Sequence, residues 1–420
     1  MVRGKGSPDD VLTREDVIKI IAEGTPKKFY AGKRVLVLTP DATRTCPLPM
    51  MVAAVQEVIA PETAKLDYMV ALGSHHPMSQ EQIMNLYGVS PVDRKTTFSD
   101  ASFLNHEWKK PETFAKLGTF TEAEIAETTD GLFKESVVVD INKAIYDYDG
   151  IIILGPVFPH EVVGFSGGNK YFFPGISGGE FLQFFHWLSG VITTPKVIGI
   201  KDTPTRALVE AAAKMITVPT HTYAMVVKSK NELSGLYAGP VPDAWSQAAD
   251  LSAKVHIRYT PKRYHTVFGV APEMYDEMWV GGKVMYKLNE VVEDGGRLII
   301  YAPHIKEWSS TWGNYLERVG YHTRDYLLAH MDELSEIPRG VLAHSCHVRG
   351  TGTMENGVEK PRIDVVLASS IPKESTEAMN LSYLDPAKVD VDSWRNREEE
   401  GILFVDHAGE VLHKPAAGRD

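Results

Sequence analysis

The stretch Arg34-Val35-Leu36-Val37-Leu38-Thr39, which ends at Pro40-Asp41, is an apolar run without alternating polar positions. Two similar runs follow it, Asp67-Tyr68-Met69-Val70-Ala71-Leu72 and Gly150-Ile151-Ile152-Ile153-Leu154, and residues 50–59 have the apolar spacing of a helix. Continuous apolar runs are typical of strands that are buried on both faces of a parallel sheet. Strands that alternate with a helix in this way predict a doubly wound α/β fold.

A second α/β pattern begins after about residue 250. It predicts strands at residues 264–270, 297–301, 340–344 and 363–368, and a helix at residues 276–292 that Asp294-Gly295-Gly296 ends. A chain of 420 residues is also too long for one ordinary core. We therefore expect two α/β domains with mostly parallel sheets, residues 1–254 and 255–420, and an active site in the cleft between them.

The composition excludes several kinds of partner. The net charge of −11 argues against nucleic acid, because phosphate contacts need a basic surface. The two cysteines are too few for a disulfide framework or a four-cysteine zinc site. The N-terminus has no apolar signal core, and no apolar run reaches about 18 residues. We therefore expect a cytoplasmic protein that has no membrane partner.

Ionisable side chains follow the three predicted strands of the N-terminal half. Asp41 and Arg44 come after the first strand, His75 after the second and His160 after the third. In doubly wound sheets, ligands bind beyond the carboxyl ends of the strands, where these side chains would converge. The sequence thus predicts a site at this edge. The alternative for Asp41 and Arg44 is a plain salt bridge at the strand ends.

The segment that follows His160 is rich in glycine. In Gly164-Phe165-Ser166-Gly167-Gly168-Asn169-Lys170, small residues let the backbone approach a ligand, and their amides can point at a phosphate. Lys170 lacks the spacing that a P-loop gives its lysine, so the alternative is an ordinary glycine-rich turn. His186 lies in Phe184-Phe185-His186-Trp187-Leu188, where an imidazole is either a core residue or a metal ligand in an apolar shell.

Taken together, these elements resemble the nickel-dependent lactate racemase family in order and approximate spacing. The resemblance rests on Asp41-Ala42-Thr43-Arg44, Gly73-Ser74-His75, His160, residues 164–170 and His186. It implies a racemase or epimerase that inverts C2 of a small-molecule 2-hydroxy acid. The cofactor would be the nickel pincer nucleotide, pyridinium-3-thioamide-5-thiocarboxylic acid mononucleotide, which derives from nicotinate. Such an enzyme would depend on the enzymes that build this cofactor.

The same resemblance implies a role for each site residue. Lys170 would hold the cofactor covalently, and His186 would ligate Ni(II). Five residues would contact the remainder of the cofactor: Asp41, Thr43, Ser166, Gly167 and Gly168. His75 and His160 would act as acid and base on opposite sides of the substrate, because a racemase must accept both enantiomers. Arg44 would bind the substrate, whose C2 hydride would pass to the cofactor and return.

Two positions depart from the family. His76 stands where the family often has arginine, and Val280 stands where it commonly has a glutamine that helps to bind the substrate carboxylate. Lys283 remains as a candidate carboxylate partner. Trp279 is a further candidate for contact with the substrate. His304 and the segment His344-Ser345-Cys346-His347-Val348-Arg349 follow other predicted strands, and this polar set suits an acid larger or more polar than lactate, such as malate or an aldonate like gluconate. The alternative is that these histidines are surface or interdomain residues.

Three alternatives stay open at this point. The chain is a lactate racemase proper, a non-catalytic binding protein for 2-hydroxy acids or sugar acids, or a zinc hydrolase. The zinc hydrolase would use His75, His160 and His186 as ligands and keep an open position for water. It would leave Lys170 without a task.

Overall fold

The computed structural model describes residues 1–416, which divide into two compact units. Unit 1 comprises Met1–Phe158, Phe165–Leu182 and Lys201–Val255; unit 2 comprises Pro159–Gly164, Gln183–Ile200 and the described chain from His256 onwards. Within residues 1–416, no helix is both long and apolar enough to cross a membrane. Each unit contains a sheet of mostly parallel strands, which confirms the predicted α/β class.

Unit 1 has a seven-stranded sheet. The strands of the first 239 residues are β1 (Arg3–Gly6), β2 (Arg34–Thr39), β3 (Lys65–Val70), β4 (Phe103–Asn105), β5 (Phe114–Phe120), β6 (Val137–Asn142), β7 (Gly150–Pro156), β8 (Pro159–His160), β9 (Gly164–Phe165), β10 (Thr220–Ser229) and β11 (Glu232–Gly239). The sheet order is β1-β11-β10-β7-β2-β3-β4, and the five strands from β10 to β4 run parallel. β2, β3 and β7 correspond to the three apolar runs and are buried almost throughout, which explains the missing alternation.

Capping residues mark the start of several helices in the first 256 residues. The helices of this region are α1 (Arg14–Gly24), α2 (Lys27–Tyr30), α3 (Leu48–Ile59), α4 (Gln80–Tyr87), α5 (Pro91–Lys95), α6 (Glu122–Thr128), α7 (Gly179–Ile192), α8 (Pro204–Ala213) and α9 (Val241–His256). Thr13 and Ser79 begin α1 and α4 with capping boxes. Apolar residues of α1, α3 and α4 share one core with β2, β3 and β10. This core fixes where the strand ends lie.

Unit 2 has a five-stranded sheet in which every pair is parallel, in the order β18-β17-β14-β13-β19. Its strands after residue 256 are β12 (Ile257–Thr260), β13 (Tyr264–Val270), β14 (Val292–Ala302), β15 (Gly352–Glu355), β16 (Val358–Pro361), β17 (Asp364–Ser369), β18 (Ser382–Tyr383), β19 (Ile402–Val405) and β20 (Leu412–Pro415). Its helices there are α10 (Met278–Gly281), α11 (Lys283–Leu288), α12 (Gly313–Val319), α13 (Arg324–Ala329), α14 (Arg339–Arg349) and α15 (Lys373–Ala378). The strands predicted at 264–270, 297–301 and 363–368 correspond to β13, β14 and β17.

Two predicted elements of unit 2 are wrong. Residues 340–344 belong to helix α14 and not to a strand. The residues of α14 from 341 to 348 are all buried, so the helix lacks the polar face that distinguishes a helix from a buried strand. The helix predicted at 276–292 is divided into α10 and α11 at Gly281-Gly282, and Asp294-Gly295-Gly296 lies inside β14.

Strand β7 lacks a side chain where it passes the ring of Tyr171. A Cβ built on Gly155 would lie 1.8 Å from the Tyr171 hydroxyl oxygen and 2.2 Å from Cζ. Tyr171 is buried and ends the 3₁₀ turn Gly168–Tyr171. Because residue 155 is a glycine, the segment that carries Lys170 can lie directly on the central strand.

We expect Gly155→Ala to lower the free energy of unfolding by about 1–3 kcal/mol, because a buried aromatic ring must move to admit the methyl group. Urea denaturation followed by circular dichroism measures this. Gly179→Ala is the matched control, since a Cβ there meets no atom within 4 Å; it should change stability by less than about 0.5 kcal/mol. Equal effects of the two substitutions would contradict the packing argument.

Candidate active site

Asp41 and His75 lie just beyond the carboxyl ends of two neighbouring strands. β2 and β3 pair in parallel, with Thr39 opposite Val70, so both chains leave the sheet at the same edge. The buried Asp41 carboxylate accepts a hydrogen bond from His75 Nδ1. The structure therefore brings these two predicted residues into direct contact.

Two further predicted residues surround Asp41. Thr43 donates to Asp41 Oδ1 from its hydroxyl at 2.6 Å and from its backbone N–H at 3.1 Å. Burial raises the pKa of the Asp41 carboxyl, but the charges of His75 and Arg44 and the hydrogen bonds outweigh burial and leave this pKa below its ordinary value. Asp41 is therefore a carboxylate at neutral pH and holds His75 in place.

The bond to Asp41 also fixes the tautomer of His75. A carboxylate only accepts hydrogen bonds, so His75 Nδ1 carries the hydrogen and Nε2 of the neutral ring keeps its lone pair. Trp108 Nε1–H donates to the His75 carbonyl oxygen at 2.7 Å and steadies the loop. The His75 side chain is 40% exposed, which leaves Nε2 able to accept a proton from a ligand.

Residues 165–170 form a turn in unit 1 that we call the glycine loop. Gly167 and Gly168 have φ angles of +79° and +58°, which side chains of L-residues rarely adopt. The Ser166 hydroxyl donates to the Pro156 carbonyl at 3.1 Å and accepts the Phe158 N–H at 2.9 Å. Because this hydroxyl is already hydrogen-bonded within the protein, we expect backbone amides of the glycine loop to bind a phosphate.

Lys170 follows a long buried stretch. Residues 162–169 are all buried, whereas Lys170 is partly exposed. The Gly73 N–H donates to the Gly175 carbonyl at 2.9 Å, which joins the loop of His75 to the turn that follows Lys170. Unit 1 thereby holds the His75 loop and the Lys170 segment side by side.

His160 lies in the segment Pro159–Gly164, which belongs to unit 2. Its Nδ1 accepts the Val162 N–H at 3.1 Å, so the neutral ring carries its hydrogen on Nε2. The Glu161 carboxylate lies 3.4 Å from the same Nδ1 and can pair with it when it is protonated. Lys287, which is buried, donates to the Pro159 carbonyl and fixes the backbone beside the ring. The sequence carried no signal for Lys287.

His186 is partly exposed on the part of α7 that belongs to unit 2. Its neighbours His344 and His347 are buried, and burial lowers the pKa of both imidazoles, that of His347 to about 4. The two ring nitrogens of His347 hydrogen-bond to Ser189 at 3.0 Å and to Thr194 at 2.8 Å. This ring therefore has a structural role in the interior of unit 2. Among the described residues, no group of three or more His, Cys, Asp or Glu side chains is placed to hold a metal ion.

The predicted substrate residues of unit 2 have two different surroundings. The Lys283 ammonium lies 4.8 Å from the centroid of the Tyr275 ring, and His304 Nε2 donates to the Tyr275 carbonyl at 3.1 Å. Trp279 instead stacks on His344, with ring centroids 4.1 Å apart. Lys283, His304 and Trp279 are all partly exposed. The structure thus places Lys283 and His304 against one tyrosine and Trp279 against a buried histidine.

The N-terminal half of the chain matches known sequences. Residues 15–197 match the lactate racemase N-terminal domain. A lactate racemase of Thermoanaerobacterium thermosaccharolyticum is 24% identical over 176 residues, and one of Lactiplantibacillus plantarum is 27% identical over 176 residues. Each alignment covers 40% of this chain and 36% of the relative. The matched region contains the candidate residues from Asp41 to His186, and it ends before Lys283.

Solved structures match over almost the whole chain. A crystal structure of a Thermotoga maritima protein is 31% identical, with a TM-score of 0.88, and covers 97% of this chain and 99% of its own. The lactate racemase apoprotein of Thermoanaerobacterium thermosaccharolyticum has a TM-score of 0.71 at 17% identity, covering 99% of this chain and 94% of its own. At that low identity the second likeness speaks for the fold alone.

Asp41→Asn should reveal the stabilising role of the carboxylate through pH. The folded pKa of Asp41 lies below the unfolded value of about 3.9, so its stabilisation is present above pH 4 and is lost as pH falls through the folded pKa. Between pH 6 and pH 3, the difference in unfolding free energy between the wild type and Asp41→Asn should shrink by about 1–2 kcal/mol. The effect is no larger because solvent screens the half-exposed His75. Denaturant unfolding at each pH measures it.

Glu290→Gln is the control with the opposite sign. Burial raises the pKa of Glu290 above its ordinary value, although Lys414 opposes this shift. The wild type should therefore gain stability relative to Glu290→Gln as pH falls over the same range. If both substitutions gave pH dependences of the same sign, the assigned electrostatics of Asp41 would be wrong.

Proposed function

We propose that this chain, whose residues 15–197 match the lactate racemase N-terminal domain, inverts C2 of a 2-hydroxy acid. The observation that carries the proposal is the Asp41–His75 pair at the ends of β2 and β3. The pair lies inside the region that matches the lactate racemase N-terminal domain. In this pair His75 Nδ1 is hydrogen-bonded to Asp41, and Nε2 keeps its lone pair, which is the arrangement that a general base needs.

In this proposal His75 removes the proton of the substrate hydroxyl. Nε2 receives the proton, and the resulting imidazolium is stabilised by the Asp41 carboxylate, whose pKa is too low for it to take the proton itself. Arg44 supplies positive charge beside this pair and would bind the substrate carboxylate. The base would thus be fixed in orientation before the substrate arrives.

His160 would serve the opposite enantiomer. In its present bonding the neutral ring carries its hydrogen on Nε2, so it donates a hydrogen bond there, and it becomes a proton donor only when Nδ1 is protonated as well. When it acts as the base, Nδ1 must carry the hydrogen, and Glu161 at 3.4 Å is the carboxylate that can accept it. Acid and base would therefore exchange roles with the direction of the reaction.

The residues present fit a nickel pincer nucleotide. Lys170 is a partly exposed residue at the end of a buried stretch, His186 is partly exposed, and the glycine loop has two glycines with positive φ that let a ligand approach the backbone. Lys170 would hold the cofactor covalently, His186 would ligate the nickel, and Asp41 and Thr43 would lie against the bound group. When bound, the cofactor would accept the C2 hydride of the substrate and return it to the other face. The chain itself supplies binding, orientation and the proton transfers.

The substrate that we favour is larger or more polar than lactate. Lys283 would pair with the carboxylate, and His304 and Trp279 would face additional hydroxyl or carboxyl groups. Trp279 supports this because it offers an aromatic ring with Trp312 at 6.3 Å, and aromatic rings pack against the apolar faces of extended substrates. An aldonate such as gluconate, or malate, has the chemistry that these residues fit.

Lys170→Ala should abolish covalent loading. We expect the protein, co-produced with the enzymes that build the cofactor, to gain mass and nickel, and the variant to gain neither, because no amine remains to form the bond. Intact mass spectrometry and nickel analysis measure both. Lys214→Ala, which changes an exposed lysine of unit 1, should load like the wild type. A wild type without added mass or nickel would refute the cofactor assignment.

Proton NMR of the loaded protein in D₂O should identify the substrate among lactate, malate and gluconate, with a chiral shift reagent added for lactate and malate because their enantiomers otherwise give identical spectra. We expect inversion at C2 with the C2 hydrogen retained, because a hydride that travels to a cofactor and back does not mix with solvent. Deuterium at C2 would instead indicate proton abstraction. Ligand binding without inversion would mean that the chain is a binding protein. The variant His75→Asn should lose at least about 100-fold in rate.

A further inference from the structure

Three consecutive carbonyl groups of the glycine loop are bonded to side chains from α8 and α9. Arg206 Nη2 donates to the Phe165 carbonyl, Trp245 Nε1 donates to the Ser166 carbonyl at 2.8 Å, and Arg206 Nη1 lies 3.5 Å from the Gly167 carbonyl. All these residues belong to unit 1. The loop is therefore bound along its length by residues about 40 and 80 positions further along the chain.

Arg206 and Trp245 form one rigid brace. The guanidinium lies over the indole ring at 4.0 Å from its centroid, and both side chains are buried. Glu210 pairs with Arg206 at 3.3 Å and accepts from Asn169 Nδ2 at 2.6 Å. Burial lowers the pKa of Arg206 to about 10, and Glu210 opposes that shift. Arg206 therefore remains charged at neutral pH and is held on both sides.

The brace determines where the amides of the loop point. In a trans peptide, the carbonyl of one residue and the N–H of the next point in opposite directions. Because Trp245 holds the Ser166 carbonyl, the Gly167 N–H points away from the brace, and the Gly168 N–H does so because Arg206 faces the Gly167 carbonyl. The preceding peptide has the same arrangement. Arg206 holds the Phe165 carbonyl, and the Ser166 N–H points away from Arg206 to the Phe158 carbonyl at 2.8 Å.

Close contacts favour glycine at positions 167 and 168, and at position 168 the contact is with the brace. A Cβ on Gly168 would lie 2.9 Å from Cγ of Trp245, and a Cβ on Gly167 would lie 2.7 Å from Cγ2 of Val157. The indole therefore packs directly against the backbone of the loop. A substitution of Trp245 or Arg206 would therefore alter the orientation of the peptide planes in the glycine loop.

We infer that Arg206 and Trp245 are positioning residues that orient the amides of Gly167 and Gly168 toward the phosphate of a bound mononucleotide. The inference rests on the proposed function, because it takes the phosphate of the cofactor as the ligand of the glycine loop. Backbone N–H groups that converge on one side form a suitable site for a phosphate. The two residues act through the loop and touch no reacting atom.

The test uses the cofactor-free full chain and two probes, nicotinate mononucleotide and nicotinate riboside, which differ only by the phosphate. Isothermal titration calorimetry gives a Kd for each, and their ratio reports the contribution of the phosphate. We expect the wild type to prefer the mononucleotide. Trp245→Phe and Arg206→Lys should each reduce this preference about fivefold, the usual weight of one hydrogen bond.

Matched controls lie in unit 2. Trp308→Phe removes an indole N–H that bonds to Ser375 at 3.0 Å, and Arg362→Lys changes an arginine that bonds to the Val292 and Asn289 carbonyls. Both should keep the wild-type preference. If Arg206→Lys fails to fold, as thermal melting would show, Trp245→Phe still tests the brace. This variant keeps an aromatic ring at the position and removes the indole N–H that bonds to the Ser166 carbonyl.

The outcomes separate the brace from the cofactor. A wild type that prefers the mononucleotide, with an unchanged ratio in Trp245→Phe, would overturn the brace and leave the proposed function standing. Weaker binding of both probes by the same factor would also overturn it, because that is the result of a general structural role. A wild type without preference for the mononucleotide would overturn the brace together with the assignment of the loop to a phosphate.

Discussion

Strand β2 pairs with strand β3 in parallel, with Thr39 opposite Val70, and the candidate site depends on this register. The pairing carries Asp41 and His75, which are 34 residues apart in the chain, to the same sheet edge, where they bond directly. A register shift of one residue would move the carboxyl end of β2 by about 3.3 Å relative to that of β3 and would break the contact between Asp41 and His75. The buried core under β2 thus also maintains the geometry of an acid–base group at its end.

Two buried charges of unit 1 have related tasks. Asp41 accepts from His75 and Thr43 and so fixes an imidazole, while Arg206 donates to carbonyls of the glycine loop and so fixes peptide planes. A buried charge is costly unless it is paired and hydrogen-bonded, and both are. Each charge is therefore held by many contacts, and it transmits that rigidity to a group that faces a ligand.

Much of unit 1 could be predicted because its strands are continuous apolar runs followed by polar residues, as at Asp41 and His75. The brace could not be predicted, since Arg206 and Trp245 bond to backbone carbonyls, and no side-chain pattern encodes such contacts. In unit 2, the sequence of α14 predicts a strand because burial on all sides removes the periodicity of a helix. The inclusion of residues 159–164 and 183–200 in unit 2 likewise has no signal in the sequence. Tertiary packing decides these features, and local composition does not.

The hydrogen bond from the Gly73 N–H to the Gly175 carbonyl has a consequence for how this sequence can change over evolution. It joins two loops that are about 100 residues apart in the chain. An insertion in either loop would break the bond and displace His75 relative to the Lys170 segment. The lengths of these two loops should therefore be inherited together, while insertions accumulate in connections that lack such a tie, such as the exposed turn at Asn356-Gly357.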